Sequence, residues 1–212
     1  MADQKRKYRK QRRAELEAET RRRITESTVE LHGTVGPART SISAVAQRAG
    51  VRRSTVYRHF PDEAALFAAC TEHWMELNAP PDLAGWAVIE DPEERLALGL
   101  EQLYAYYRAT EQMMENLHRD ESTVPIVKRL FTGFRGYLAA ARDTLMSGRR
   151  LRGGARQRTQ AAIGHALAFA TWRSLTREQQ LDDLQAADLM HRLVTAATHQ
   201  PTRRQGAATS RR

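Results

Sequence analysis

The sequence predicts an all-α fold, and three observations predict it. Apolar residues recur at helical spacing along nearly the whole chain, as in Ile24 and Leu31 or in Leu96, Leu100, Leu103 and Tyr107. No run of period-two alternation flanked by turn residues occurs. Glycine and proline cluster at Gly33 to Pro37, Gly50, Pro61, Asn78 to Pro81, Asp91-Pro92 and Ser147 to Gly154, and the segments between them have helix length.

Taken in order, residues 1–13 read as a disordered basic arm, in which Lys5, Arg6, Lys7, Arg9, Lys10, Arg12 and Arg13 are interrupted only by Tyr8 and Gln11. Short helices follow over about 14–35, 42–49 and 53–59. A fourth starts near residue 62, where Pro61 stops the helix before it and Asp62 is placed to cap free amides. The arm's successor, residues 14–78, is thus one small helical domain, and the Pro80-Pro81 pair marks its border. A larger helical domain spans 79–199. In it, Pro92 opens a stretch through about Arg108, followed by Glu111–His118, Val124–Met146, Arg156–Leu175 and Leu181–Thr198. Residues 200–212, with Pro201, Gly206 and four arginines, read as a disordered basic tail.

Where the charge sits narrows the function. The chain carries a net +9, and residues 1–60 hold 15 Lys and Arg against 6 Asp and Glu, so the rest is balanced. A polyanionic partner for that segment is the economical explanation, nucleic acid ahead of a membrane surface; a solubilising tail is the plain alternative. The single cysteine, Cys70, excludes an internal disulfide and a cysteine zinc site, and suits a reducing compartment. Neither a signal-type start nor an apolar run of the roughly 18 to 20 residues that cross a bilayer is present, which gives a cytoplasmic expectation with no membrane partner. Catalysis finds little support. Cys70 and His73 lie three apart, and His191 and His199 sit near the C-terminus, but no Gly-rich phosphate loop, nucleophile elbow or His-Glu-x-x-His pattern occurs. No enzyme, metal or cofactor is expected.

The chemistry concentrates between Ser41 and Phe60. Ser41 can cap the first helix of the pair, whose inward face is Ile42, Val45, Ala46 and Ala49. Gly50 stands where a tight turn needs positive φ, and Val51 can fill the angle between helices. In the second helix Val56 and Phe60 fall four apart and point inward. Arg52, Arg53, Ser54, Thr55, Tyr57, Arg58 and His59 are left outward, a face without a carboxylate. Such a helix suits the DNA major groove: arginine can bond a guanine edge twice, hydroxyls fit near bases or phosphates, and tyrosine and histidine reach the backbone. An ordinary helical hairpin with a basic face is the alternative. The candidate DNA-binding residues are Ser41 and the seven from Arg52 to His59 just named.

Over residues 23–67 the sequence resembles the TetR family of bacterial regulators. Arg23-Ile24 and Leu31, Gly36, Val45-Ala46-Gln47-Arg48-Ala49-Gly50-Val51, Thr55-Val56-Tyr57-Arg58-His59-Phe60-Pro61-Asp62 and Ala65-Leu66-Phe67 carry the likeness. The resemblance implies a three-helix DNA-binding domain, a divergent ligand-binding and dimerisation domain, and release of DNA when a small molecule binds. The sequence departs from the pattern in three places. Arg52 stands where a capping serine is usual, Glu63 replaces a common lysine, and His32 and Gly33 replace larger apolar residues ahead of an altered loop. The basic arm can neutralise phosphates, enter the minor groove, or remain a solvated tail.

The larger domain says less. Trp86, Tyr104, Tyr107, Met114, His118, Phe134, Phe169 and Trp172 are candidates to line a pocket for a small apolar or aromatic ligand, or else they form plain core. Ala161, Gly164, Ala168 and Thr171 trace a small-residue face near the apolar bulk of Ile163, Leu167, Leu181, Leu184, Leu189, Leu193 and Val194. The resemblance implies a homodimer through about residues 156–198; packing within one chain is the alternative. The expectation is a homodimeric repressor on a palindromic double-stranded DNA operator, with a basic RNA-binding or nucleoid-associated protein as rival.

Overall fold

The computed structural model describes residues 2–198, so the expected basic tail at 200–212 lies outside the described residues. Among the described residues there is no strand. In these residues helices run in the order α1 (Ala2–Thr34), α2 (Ile42–Arg48), α3 (Arg53–His59), α4 (Glu63–Leu77), α5 (Leu83–Ala87), α6 (Pro92–Asp120), α7 (Pro125–Met146), α8 (Gly153–Ala166), α9 (Phe169–Arg173) and α10 (Asp183–Thr198). A short 3-10 turn, Pro37–Arg39, precedes α2, and a π turn, Ser174–Glu178, follows α9.

Three expectations are corrected. The arm at residues 1–13 is not disordered from Ala2 onward: α1 starts at Ala2 and runs unbroken to Thr34. Straight-chain Lys, Arg, Gln and Glu favour helix, no Gly or Pro intervenes, and Gln11–Glu15 and Arg13–Glu17 pair four residues apart at 3.2 and 3.1 Å. Likewise the stretch from Pro92 to Arg108 and that from Glu111 to His118 form one helix, α6, because Ala109 and Thr110 interrupt nothing. Conversely, Arg156–Leu175 is split at Ala168, which is extended at φ −74° and ψ 133°. Ala166, Leu167, Phe169, Thr171 and Trp172 are all buried, more than one face of a continuous helix can turn inward.

The chain divides into two compact units. The first comprises Met1–Pro80 with Tyr106–Arg135. Its core gathers Ile24 from α1, Ile42, Val45 and Ala46 from α2, Val56 from α3, Phe60 after it and Leu66 from α4, with Leu31, Val51 and Ala69 packed against them. Burying side chains such as Ile24, Val56 and Phe60 stabilises the unit by about 1.5 to 3 kcal/mol each. His32 lies over Phe67 with ring centroids 5.2 Å apart, and its Nδ1 is 3.5 Å from the Cys70 Sγ.

Among the described residues, the second unit comprises Pro81–Ala105 with 136–198. Leu96, Leu100, Leu103, Tyr104, Leu145, Ile163, Leu167 and Trp172 are buried in it. Three of its buried ring groups are hydrogen-bonded: Trp86 Nε1 donates to Gln102 Oε1 at 2.7 Å, Tyr104 Oη to the Ala166 carbonyl at 2.9 Å, and Trp172 Nε1 to Asp183 Oδ1 at 2.9 Å. Arg95 donates to the Ile89 carbonyl at 2.6 Å and to that of Ser147, closing the start of α6 against the end of α7.

Candidate nucleic-acid interface

The helix pair α2 and α3 is set by local chemistry. Ser41 is extended, and its hydroxyl accepts the Ala44 N–H at 3.2 Å, so α2 begins where the sequence placed its cap. At the other end, Gly50 adopts φ +64°, the Val51 N–H donates to the Ala46 carbonyl at 2.9 Å, and the Gly50 N–H donates to Gln47 at 3.2 Å. These two bonds are the paired arrangement that ends a helix on a left-handed glycine and reverses the chain. Helix α3 then starts at Arg53, with Arg52 in the capping position making no side-chain cap. Asp62 caps α4 by accepting the Ala65 N–H at 2.7 Å.

On α3, Val56 and the following Phe60 are buried, each 1% exposed. Arg52, Arg53, Ser54, Tyr57 and Arg58 are exposed, and Thr55 and His59 are half-buried. Ser41 is exposed one helix away. The structure therefore exposes five of these candidates, leaves Thr55 and His59 half-buried, and sets Ser41 at the start of the adjoining helix. No Asp or Glu occurs anywhere from Leu31 to Pro61, so the surface carries no competing anion of its own. Burial, helped by the neighbouring charges of Arg58 and Arg21, holds the His59 imidazole below its ordinary pKa despite the opposing charge of Glu17. The basic character of the face thus comes from its arginines.

Sequence reasoning alone does not pick out Arg21. Its Nη1 donates to the His59 carbonyl at 2.7 Å, and its guanidinium lies 4.1 Å above the Phe60 ring. A cation at a helix C-terminus interacts favourably with the last carbonyls and the dipole, so Arg21 pins the end of α3 to α1. Its spacing, three residues before the fully buried Ile24, is the one signal the sequence offers. Beyond Arg21, α1 continues toward its N-terminus for about 28 Å at 1.5 Å per residue. Along that rod Arg6, Lys7, Arg9, Lys10, Arg12 and Arg13 are exposed.

The candidate ligand residues are dispersed. Tyr107, Met114, His118 and Phe134 belong to the first unit; Trp86, Tyr104, Phe169 and Trp172 belong to the second. In the first, Tyr107 and Met114 are buried, His118 is exposed and Phe134 half-buried. His118 and Phe134 flank the buried Phe131, with ring centroids 4.3 and 6.4 Å from it. In the second, all four are buried, and Phe169 lies 5.4 Å from Trp172, centroid to centroid.

A capped helix, a left-handed glycine turn and a second helix with an acid-free, arginine-rich outer face define a helix-turn-helix DNA-binding regulator. Residues 24–70 match the family model described as bacterial regulatory proteins, tetR family. No curated protein matches the chain. Among solved structures, a Clostridium perfringens protein titled as a fatty acid metabolism regulator is similar over 84% of this chain and 100% of its own, at 15% identity and TM-score 0.62. A TetR-like transcriptional regulator from Rhodococcus covers 83% of this chain and 93% of its own, at 18% identity and TM-score 0.61. The regulator FadR from Bacillus subtilis, solved with stearoyl-CoA, covers 84% and 98%, at 18% identity and TM-score 0.60. At such identities the likeness concerns the fold alone.

Proposed function

We propose that the protein is a ligand-responsive repressor that acts in the cytoplasm as a homodimer on a palindromic double-stranded DNA operator. Two copies of α3 enter successive major grooves, where Arg52, Arg53, Ser54, Thr55, Tyr57, Arg58 and His59 meet base edges and phosphates and Ser41 meets the backbone. The observation that carries this reading is the outer face of α3, exposed, arginine-rich and free of acids. Because α1 is helical to Ala2, its basic stretch serves phosphates rather than the minor groove: a helix about 10 to 12 Å across does not fit a groove about 6 Å wide.

The test is operator binding by fragments selected from the protein's own genome. Arg53→Ala is expected to weaken operator binding by about tenfold or more, as loss of one good base contact does, and to relax preference at one position of the site. Unchanged affinity in a folded variant refutes the assignment of α3.

For the effector, the candidate class is a small apolar or aromatic molecule, and a long-chain acyl-CoA is the first probe because one similar structure was solved with stearoyl-CoA. Added stearoyl-CoA is expected to raise the melting temperature and to release operator, with a coupling of about 1 to 3 kcal/mol. Melting and operator affinity that stay unchanged at saturating stearoyl-CoA remove this ligand class.

A further inference from the structure

The sequence departure at His32, Gly33 and the following loop has a structural counterpart in the last turn of α6. The final carbonyls of a helix lack partners within it and must find them elsewhere. In α1 two of them, and a third in the residue just past the helix, are met by side chains more than eighty residues downstream. Asn116 Nδ2 donates to the carbonyls of His32 at 3.0 Å and Gly33 at 2.7 Å. Arg119 Nη2 donates to the carbonyl of Val35 at 2.9 Å. Asp120 Oδ2 accepts the N–H of Ala38 at 2.9 Å. The three side chains are bonded to one another, Arg119 donating to Asn116 Oδ1 and to Asp120 Oδ1, both at 2.8 Å. Asn116 and Asp120 are buried, 2% and 4% exposed. Burial raises the Asp120 pKa, but the bonds from Arg119 and Ala38 and the charges of Arg119 and Arg39 outweigh it and keep the group below its ordinary value.

The loop that this cluster holds is built around it. Gly36 adopts φ +92°, and a Cβ there would stand 2.0 Å from Arg119 Nη2 and 2.6 Å from Asp120 Oδ2. At Gly33 an added Cβ would meet Met113 at 3.7 Å, an ordinary contact, so the tight fit of this loop is at Gly36. From Ala38 only two residues remain before the Ser41 cap. One of them, Thr40, ties itself back to the carbonyls of Pro37 at 3.1 Å and Gly36 at 2.8 Å. Helix α2 therefore starts from a point fixed by the end of α6, and α3 follows from α2 through one glycine turn.

We propose that Asn116, Arg119 and Asp120 are positioning residues for DNA reading, holding the loop before α2 so that α2 and α3 take one orientation. The inference rests on the reading of α3 as the helix that meets DNA. It makes the end of α6 a place where any displacement of the helix reaches the DNA-reading pair.

The test compares the wild type with Asp120→Ala and Asp120→Asn, reading amide hydrogen exchange together with affinity for a selected operator and for random duplex. Asp120→Ala is expected to speed exchange at Ala38 and Thr40 while buried amides of α8 and α10 keep their protection. Operator affinity should fall by about tenfold, the loss of one charge-assisted bond, with random-duplex affinity unchanged because the exposed basic side chains remain. Asp120→Asn, which keeps an acceptor oxygen, should recover part of the operator affinity. A parallel fall in both affinities, or operator affinity unchanged beside faster exchange at Ala38, overturns the inference. If Asp120→Ala does not fold, Arg119→Lys serves instead, since it keeps the charge and loses the fork; it is expected to show the same selective loss, and equal losses on both DNAs overturn the inference again. Failure of the α3 reading would show separately, as equal operator affinity for wild type and Arg53→Ala.

Discussion

His32 shows how one buried residue sets a pH dependence. Burial lowers its pKa from 6.5 to about 4, with the charge of Asp120 opposing part of the shift. In the unfolded chain the imidazole returns to its ordinary value near 6.5. Between those values the unfolded state binds the extra proton and the folded state does not, so stability is full above about 6.5 and is lost as pH falls toward 4. The unfolding constant is expected to rise by up to about tenfold per pH unit in that window, checked by urea denaturation at pH 7 and pH 5. His32→Gln should flatten this component, and identical pH slopes for the two proteins would discard it. Nearby, burial pushes the Cys70 thiol up to about 12, so it is a packed apolar group rather than a nucleophile.

At the scale of elements, the helix pair was legible in the sequence because its determinants are local. Ser41, Gly50 and the Val56 and Phe60 spacing each act within a few residues, and each does in the structure what its chemistry requires. Features set by distant partners were not legible. The break at Ala168 has no Gly or Pro to announce it and follows from which side chains the second unit buries. The bonds from Asn116 and Asp120 to the end of α1 join segments whose separation no pattern spans. The helical arm is a third case: a run of like charges suggested disorder, whereas good helix formers with acids from Glu15 onward continue α1 to Ala2. Deleting residues 1–13 is expected to flatten the salt dependence of DNA binding, by about 0.9 in the logarithmic slope for each phosphate that the arm neutralises, measured by titration across 50 to 200 mM salt. A slope equal to the wild type's would leave the arm with no electrostatic role.

At the scale of the molecule, one short α3 offers limited contact, and a two-fold partner doubles it. Two surfaces suit such a partner: Ala161 and Gly164 are exposed on α8, and Leu189 and Leu193, four apart on α10, are 37% and 52% exposed. Leu189→Glu combined with Leu193→Glu is expected to give a folded monomer in sedimentation and to weaken operator binding on the order of a hundredfold, the loss of linked attachment. A dimer of unaltered affinity would move the interface elsewhere. The division of the chain carries one more consequence. The unit that holds α3 is discontinuous, taking in Tyr106–Arg135 as well as the residues up to Pro80. A chimera that transplants only the first eighty residues onto a foreign sensor would arrive with bare carbonyls at the end of α1 and a Gly36 loop shaped around side chains left behind. Swapping specificities between such regulators therefore calls for carrying the tip of α6 along with the reader, a seam invisible to anyone cutting at the proline pair.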